Sequence, residues 1–266
     1  MSIMDKLKSA LFVQKEQSAP AATELSYAER EARYQENRIN AFRDELAKLR
    51  KVEIQLSDEP HNRNQELHFA ELKPKSITKS TNLAKLLDFV ALDVETTGIK
   101  TGGNDIIEVS AIHFHYFKQA ELFTTLIRPR KAIPPEASAV NGITDEMVQD
   151  APKFCEIIPA LTEFIGKMPV VAHNAEFDLK HLYVNGLDAA DERSAVYDTL
   201  QLSKKFCDKD IMDHKLATVC REYNIVIDGA HRATADALAC GLIFVKMLIQ
   251  SRDDCYDISD LIKNAK

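Results

Sequence analysis

The sequence predicts an α/β fold in which a mixed sheet is flanked by helices, with a helical extension before it. Three apolar segments of strand length follow one another between residues 89 and 127, separated by turn residues. Short apolar strands then alternate with helical patterns up to residue 251. Adjacent strands followed by alternating helices and strands are typical of a mixed sheet with helices packed on it.

Composition fits a soluble globular protein. Of the 266 residues, 45% are hydrophobic and 28% charged. No continuous apolar run approaches eighteen residues, so we expect no membrane association, and the N-terminus lacks the features of an export signal. The five cysteines are scattered and form no Cys-x-x-Cys pair, which predicts a reducing, cytoplasmic location and no zinc or disulfide framework.

Charge is distributed unevenly along the chain. Residues 1–87 carry 15 Lys and Arg against 13 Asp and Glu, whereas the remainder carries 19 against 28. An acidic domain is an unusual binder of nucleic acid if only net charge is considered. It becomes a reasonable one if some of the acids hold cations that meet the polymer locally.

The first 87 residues divide into three segments. Residues 1–24 are polar with little pattern, so weak order is expected there. Residues 25–56 contain a heptad repeat over about four heptads, which predicts a helix of coiled-coil type. Residues 57–87 are polar and contain two prolines, as expected of a linker. The apolar seam consists of Leu25, Ala28, Ala32, Ile39, Phe42, Leu46 and Leu49.

The partner of this predicted helix remains open at the level of sequence. A helix with one apolar seam has to bury it against a second copy of the chain, against the following domain, or against another protein. A solvated, charged helix without a partner is the alternative reading. Docking on a polymerase or a repair protein through residues 25–50 is therefore one hypothesis for what the extension does.

Residues 88–252 are predicted to form the main domain, followed by a tail at 253–266. Turn residues, N-cap residues such as Thr144 and Asn174, and apolar periodicity define its elements. Strands are predicted at 89–95, 105–116, 121–127, 169–173 and 195–200, and helices at 153–166, after 174, from 200, at 214–223 and at 233–251.

Two carboxylates end the first strand of this domain. Asp93 and Glu95 are two residues apart, so on a strand their side chains point to the same face. Two unpaired anions at that distance repel each other. A divalent cation resolves the conflict, and hard oxygen ligands suit Mg²⁺ or Mn²⁺.

Three later residues complete a set for hydrolysis of phosphodiesters. Asp178 and Asp236 lie at the edges of predicted helices, and His231 precedes Asp236 by five residues. Two-metal hydrolysis needs acidic ligands and a base that takes a proton from water. Histidine suits the base because it titrates near neutral pH. Each residue alone is a weak signal; the strength lies in their order and flanking residues.

Three motifs together resemble the DnaQ-like, DEDD superfamily of exonucleases. They are Asp-Val-Glu-Thr-Thr-Gly at 93–98, Ala-His-Asn-Ala-Glu-Phe-Asp at 172–178 and His-Arg-Ala-Thr-Ala-Asp at 231–236. Because the last motif has His five residues before its Asp, and Arg232 where the sister group has Tyr, the chain is similar to the DEDDh branch. The resemblance covers residues 88–250 and is supported at 106–109, 141–144 and 197–200.

The resemblance implies a ribonuclease H-like core and a 3′→5′ exonuclease that releases nucleoside 5′-monophosphates, with single-stranded DNA as the substrate, in replication proofreading or repair. It implies that His231 deprotonates water. Asp93, Glu95, Asp178 and Asp236 would ligate two Mg²⁺ or Mn²⁺ ions, and Thr96, Thr97, Gly98, Val140, Asn141 and Asn174 would contact the terminal nucleotide.

One departure from the family pattern and one alternative substrate accompany this expectation. Many relatives have His where this chain has Asn141, which bears on nucleotide preference and not on the chemistry. Trimming of RNA, in the manner of ribonuclease T, is the alternative activity, because contacts to the ribose 2′-OH decide the choice of polymer. A protein whose main task is docking through residues 25–50 is the alternative from another class.

Overall fold

The computed structural model describes residues 27–58, 72–100, 103–189 and 195–265. The predicted N-terminal segment 1–24, Leu25 of the heptad seam and the middle of the predicted linker lie outside the described residues. The chain divides into two units, Met1–Asn37 and Arg38–Lys266. The second contains the whole sheet.

A six-stranded mixed sheet forms the centre of the second unit, in the order β1-β4-β3-β2-β5-β6. Neighbours β2, β3 and β4 are antiparallel, whereas the β1–β4, β2–β5 and β5–β6 pairs are parallel. This confirms the predicted α/β class and the three-stranded opening. The strands are β1 Arg50–Lys51, β2 Asp88–Thr96, β3 Ile106–His115, β4 Lys118–Leu126, β5 Val170–Ala172 and β6 Val196–Asp198.

Helices cover both faces of the sheet, close to where the sequence pattern predicts them. A 3₁₀ turn at Leu83–Leu86 precedes the second strand. The α-helices are α1 Tyr27–Ala47, α2 Pro135–Asn141, α3 Asp145–Val148, α4 Phe154–Ile165, α5 Ala175–Val184, α6 Thr199–Phe206, α7 Leu216–Glu222, α8 Ala233–Gln250 and α9 Ile258–Asn264.

The alternation of side chains along β2 assigns its residues to two separate cores. Phe89 and Ala91 belong to the core that contains the residues of α8. Val90 and Leu92 belong to the core under α4 and α5. Because residues two apart share a face, Asp93 and Glu95 continue the row of Phe89 and Ala91 and lie on the α8 face of the sheet.

Helix α8 packs directly on the sheet because it contains a glycine at the contact. A Cβ atom built on Gly241 would lie 2.2 Å from a ring carbon of Phe114 and 3.1 Å from the Cβ of Ala91. By length and a mean hydropathy of 1.5, α8 meets the criteria for a membrane span, but 67% of it is buried in the fold. Its apolar composition is that of a core helix.

The heptad-patterned helix joins the core through its C-terminal part. Phe42 of α1 is buried in the α8 core, and Leu46 packs against it. Leu49 is buried in the same core but lies beyond the end of α1 at Ala47, so the helix predicted over 25–56 is shorter than expected, and Arg50–Lys51 forms β1 instead. Ala28 and Ala32, earlier in the seam, are exposed. The larger residues at the end of the seam therefore pack against the following domain, which was one of the three possible partners. They supply more apolar area to bury than alanine does.

The core extends beyond the predicted limits of 88–252. Ile77, Leu83 and Leu86, all within the predicted linker, are fully buried. Leu261 of α9, within the predicted tail, is fully buried as well. Both segments pack on the α8 core, and their polar composition did not show that their few apolar residues are buried there.

Candidate active site

The acidic pair lies where the sheet opens. Strand β5 pairs with β2 only at Val90 and Ala91, so the last residues of β2 extend beyond their neighbour on that side. Asp93 and Glu95 point from this free end toward α8. The register shifts between Glu95 and Thr96, which ends the regular strand. Such irregularities are frequent next to active sites because they redirect side chains.

Asp178 replaces the missing strand at this edge. The Val94 N–H, which has no β5 residue opposite it, donates a 3.1 Å hydrogen bond to Oδ1 of Asp178. Asp178 is in the first turn of α5 and only 2% exposed. The end of β5 at Ala172 therefore makes room for a helix whose carboxylate caps the β2 backbone beside Asp93.

Asp236 reaches the pair from the first turn of α8. Carboxylate oxygens of Asp93, Glu95 and Asp236 all lie within 4.8 Å of one another. Oδ2 of Asp236 accepts the backbone N–H of His231 at 3.2 Å. Its Oδ1 is buried without a hydrogen-bond partner among the described residues. Asp178 is not part of the 4.8 Å cluster, but its charge is close enough to act on Asp93.

Burial, with a further contribution from neighbouring charges, raises the pKa of all four acids. Burial, followed by the charge of Asp178, raises the pKa of Asp93 well above its usual range. Burial and the charge of Asp236 raise the pKa of Glu95 to about 7, and burial raises that of Asp236 to about 6. Burial also raises the pKa of Asp178, against the Val94 hydrogen bond. Buried carboxylates with raised pKa values are stabilised either by binding protons or by binding a cation.

The donor set fits a divalent metal centre. Several carboxylate oxygens converge, and one of them is buried and unpaired, as expected of ligands arranged for a hard cation. The resting repulsion between the acids is the state that a bound cation would relieve. Divalent-metal dependence therefore follows from the site, as the sequence predicted from its acidic residues.

Glu108 and Arg232 position Asp236, and the sequence analysis assigned no role to either. Glu108 is opposite Glu95 in the β2–β3 register and 4% exposed. Its Oε2 accepts the Arg232 Nε–H and the Ala233 N–H, both at 3.0 Å, and Oε1 accepts Arg232 Nη2 at 2.6 Å. The local signal was limited to a charged residue in the apolar start of a strand, Ile-Ile-Glu-Val, which does not identify the partner of Glu108.

His231 lies at the rim of the site. Its side chain is exposed, and its φ of 63° is in the left-handed region, which only a few per cent of non-glycine residues adopt. This conformation turns the backbone N–H toward Asp236. The ring is therefore available beside the acids and is not fixed by packing.

Three of the predicted nucleotide-binding residues, Thr96, Thr97 and Gly98, directly follow Glu95 at the end of β2 and in the turn after it. The Thr96 hydroxyl donates to the Gly98 carbonyl at 2.8 Å, and Thr97 Oγ1 accepts the Asp105 N–H at 2.9 Å. A Cβ on Gly98 would lie 2.8 Å from the Asn104 side chain, so Asn104 uses the space that this glycine leaves. The two hydroxyl groups thus stabilise the turn after β2.

Val140 and Asn141 approach the site from the end of α2. Val140 is 60% exposed and presents an apolar side chain to solvent. Asn141 is buried, its Oδ1 accepts the Ile143 N–H at 3.0 Å, and its side chain hydrogen-bonds Glu95. The position at which this chain departs from the family pattern thus contacts an acid directly.

Asn174 occupies the N-cap position of α5 as predicted, but its side chain makes no capping bond. Its φ is 68°, and its N–H donates to Asp198 Oδ1 at 3.0 Å. The same oxygen accepts the Leu200 N–H at the start of α6, so Asp198 caps α6. Nδ1 of His173 forms a 2.9 Å hydrogen bond with Oγ1 of Thr199, so His173 supports the local structure.

Fold and site together define a ribonuclease H-like α/β protein with an acidic centre of the divalent-metal type. The family model described as exonuclease matches residues 90–244, which include all four acids and His231. The chain belongs to the exonuclease family, which confirms the family resemblance and identifies the protein as an exonuclease.

Curated relatives are replication proteins by name. The chain is 35% identical over 164 residues to the DNA polymerase III subunit epsilon of Treponema pallidum (strain Nichols), covering 60% of this chain and 76% of that one. It is 34% identical over 163 residues to the PolC-type DNA polymerase III of Bacillus subtilis (strain 168), again covering 60% of this chain. It spans only 11% of that polymerase.

Solved structures of similar fold include two exonuclease complexes with DNA. Exonuclease I of E. coli with a dT13 oligonucleotide matches with a TM-score of 0.52 at 19% identity, covering 62% of this chain and 41% of that one. Exonuclease X in complex with 5′ overhanging duplex DNA matches with a TM-score of 0.51 at 21% identity, covering 67% and 99%. At these identities the likeness concerns the fold alone.

Proposed function

We propose that this protein is a 3′→5′ exonuclease that hydrolyses the terminal phosphodiester of single-stranded DNA and releases nucleoside 5′-monophosphates. The observation that carries the proposal is the convergence of Asp93, Glu95 and Asp236 within 4.8 Å, with Asp178 directly behind them. Acids from a strand end and two helix starts meet at one open edge of the sheet, where a polymer end has access.

The four acids would hold two Mg²⁺ or Mn²⁺ ions. Bound there, such ions supply positive charge for the scissile phosphate and lower the pKa of water. The protein holds the carboxylates in place: Val94 fixes Asp178, and the Glu108–Arg232 pair fixes the start of α8. Asp93, central among the acids, is the candidate for a bridging ligand.

His231 is the candidate general base. The backbone N–H of His231 binds Asp236, whereas its ring is exposed. The ring therefore lies at the rim of the acidic cluster and not within it. A histidine there can take the proton of the attacking water and pass it to solvent. The 5′-phosphate product leaves with the terminal nucleoside attached.

The terminal nucleotide would lie between the turn after β2 and the end of α2. The exposed Val140 offers an apolar surface for the base, and Asn141 lies against Glu95. Since the Thr96 and Thr97 hydroxyls are engaged within the turn, contacts from 96–98 would come mainly from the backbone. Asn174 would contribute from the start of α5.

The proteins that this chain resembles favour DNA over RNA as its substrate. The named relatives are DNA polymerase III proteins, and both cited structures are complexes with DNA. We place the catalytic domain at 88–252, and the buried segments within 72–87 and 253–265 support it. We further propose that the protein acts in the cytoplasm, in replication proofreading or in repair. The charged, exposed first half of α1 would serve to recruit a polymerase or repair protein, or a second copy.

Degradation of labelled oligonucleotides tests the activity. With Mn²⁺, a 5′-labelled single strand should shorten progressively from its 3′ end, and a strand of RNA of the same sequence should be degraded more slowly. Asp93→Asn should reduce the rate by about 10³-fold, on the order of 4 kcal/mol of transition-state stabilisation. Asp253→Asn, a change of the same kind at a side chain 81% exposed, is the control.

Each failure has a distinct meaning. Faster loss of RNA would favour trimming of RNA, and an internal cut would exclude an exonuclease mechanism. An intact strand with every metal, beside a working control enzyme, would leave the docking function of α1 as the stronger reading. That reading fails if the full chain is monomeric and a pull-down with α1 recovers no partner.

A further inference from the structure

A second group of metal-binding side chains lies at the other end of β2. Asp88 begins this strand, and His113 and His115 end β3 beside it. One ligand atom from each of the three lies within 4.8 Å of the others. Oδ1 of Asp88 is 2.9 Å from Nε2 of His113 and 2.7 Å from Nδ1 of His115.

This group is separate from the acidic centre in both position and face. Asp88 precedes Asp93 by five residues of continuous strand, roughly 16 Å at about 3.3 Å per residue. Asp93 lies on the α8 face, whereas Asp88, an odd number of residues away, points to the opposite face. His113 and His115 share that face because Asp88 is opposite His115 and Val90 is opposite His113 in the register.

The chemistry of the group differs from that of the active site. Two imidazoles and one carboxylate are the ligands typical of Zn²⁺, whereas all-oxygen sites suit Mg²⁺ and Mn²⁺. Tetrahedral ligands with Zn²⁺ bonds of about 2.1 Å lie roughly 3.4 Å apart. The contacts of 2.9 Å and 2.7 Å from Asp88 therefore need to open by about 0.5 Å and about 0.7 Å. Asp88 and His115 are partly exposed, which gives an ion access.

A carboxylate also lies behind one of the histidines. His113 directs Nε2 at Asp88, and its other ring nitrogen, Nδ1, is 3.6 Å from Oε2 of Glu121. Metal-bound histidines typically donate their second ring N–H to a carboxylate, which fixes the tautomer and orients the ring. Glu121 is itself held by an ion pair with Arg50 of β1. This ion pair keeps the Glu121 carboxylate beside Nδ1 of His113.

We propose that Asp88, His113 and His115 form a zinc site distinct from the catalytic metal centre, with Glu121 orienting His113. Three protein ligands leave one position for water or a further ligand. The ion links the start of β2 to the β3–β4 turn, where Tyr116 and Phe117 both have positive φ values of 49° and 62°. It therefore reinforces a hairpin whose turn lacks the usual Asn and Gly.

Retention of zinc under excess magnesium tests the site. The full chain is equilibrated with micromolar Zn²⁺ and millimolar Mg²⁺, passed through a desalting column and analysed for metal. About one zinc per chain should remain in the parent protein and in Asp93→Asn. His115→Gln, and His113→Gln as a second variant, should abolish retention, and Glu121→Gln should weaken zinc affinity about 10–100-fold.

The controls separate this site from the active site and from misfolding. Asp253→Asn removes an exposed carboxylate and should retain zinc, and far-UV circular dichroism of each variant should match the parent. Zn²⁺ should raise the Tm of the parent but not of His115→Gln. The proposal is overturned if the parent retains no zinc, if both histidine variants retain it, or if Asp93→Asn loses it. None of these outcomes depends on nuclease activity.

Discussion

Glu108 and Arg232 form a two-pronged ion pair between the centre of the sheet and the residue before α8, with Oε1 and Oε2 each accepting one guanidinium N–H. Glu108 is opposite Glu95 in the register, where two like charges would repel. Arg232 offsets both charges, and its neighbour's N–H binds the same carboxylate. This contact determines where α8 starts and hence where Asp236 lies.

Replacing Arg232 should therefore reduce both stability and activity. Arg232→Met removes two charge-assisted hydrogen bonds from a carboxylate that is 5% exposed, so we expect a loss of about 1–3 kcal/mol in the free energy of unfolding. Lys79→Met is the matched control, because its ion pair with Asp253 has side chains 73% and 81% exposed and should contribute under about 1 kcal/mol. Urea denaturation measures the loss in the free energy of unfolding for each of the two variants. Equal losses would contradict the role assigned to Arg232.

Metal-free protein should become less stable as pH rises. The pKa of Glu95 is raised from 4.5 to about 7 and that of Asp236 from 3.8 to about 6. Between those values the folded state holds protons that the unfolded chain releases, so their stabilising contribution is present below about pH 4 and is lost by about pH 7. Thermal unfolding in EDTA across this window should give a Tm that falls with pH.

Two comparisons isolate the acids from the rest of the protein. With Mg²⁺ present the fall should be smaller, because a bound cation takes the place of the protons. Glu95→Gln should flatten the slope in EDTA. If the parent and Glu95→Gln show the same slope in EDTA, the raised pKa of Glu95 does not govern the pH dependence.

Replacing His231 should remove activity without removing stability. Asparagine is chosen because it tolerates positive φ, and the backbone N–H to Asp236 persists. We expect His231→Asn to reduce kcat by about 10²–10⁴-fold, as for loss of a general base, with a Tm near that of the parent. In His231→Gly, added imidazole should restore part of the rate. A fall in Tm, or rescue by other amines equally well, would point to a positioning residue.

The close contact of α8 with the sheet should depend on Gly241. Alanine gains about 1 kcal/mol in helix propensity, but its Cβ would lie 2.2 Å from the buried Phe114 ring. Overpacking of this kind costs about 1–3 kcal/mol, and moving α8 outward displaces Asp236 as well. Gly241→Ala should therefore lower both Tm and nuclease rate. Gly103→Ala is the control, because a Cβ at that position meets no atom within 4 Å. If Gly241→Ala and Gly103→Ala have the same Tm, the packing argument is contradicted.

Local sequence patterns predicted the elements of the domain well, but not its limits. The strands that became β2 to β6 and the helices α4, α7 and α8 were all predicted from apolar periodicity, which short-range geometry dictates. Ile77 was placed in a linker because it is an isolated apolar residue in a polar segment. Leu261 was placed in a tail although Ile258, Leu261 and Ile262 have helical spacing, because so short a pattern does not show that the helix packs on the domain.

The site divides in the same way. Asp93 and Glu95 are two apart on a strand, so their pairing follows from the chain alone. Nothing local placed Glu108 opposite Glu95, or gave Arg232 a carboxylate to bind. Those two positions became visible only when β3 paired with β2 and α8 packed across both.

The sequence by itself determined the class of the domain, the order of its three acidic motifs and the kind of cation that they attract, because strand alternation and ligand chemistry are properties of short segments. Tertiary structure decided that Asp236 meets Asp93, and that Asp178 takes over the Val94 N–H where β5 ends. It alone brought Asp88, His113 and His115 together. These depend on strand register and helix packing between distant segments, and such contacts are selected by the whole core.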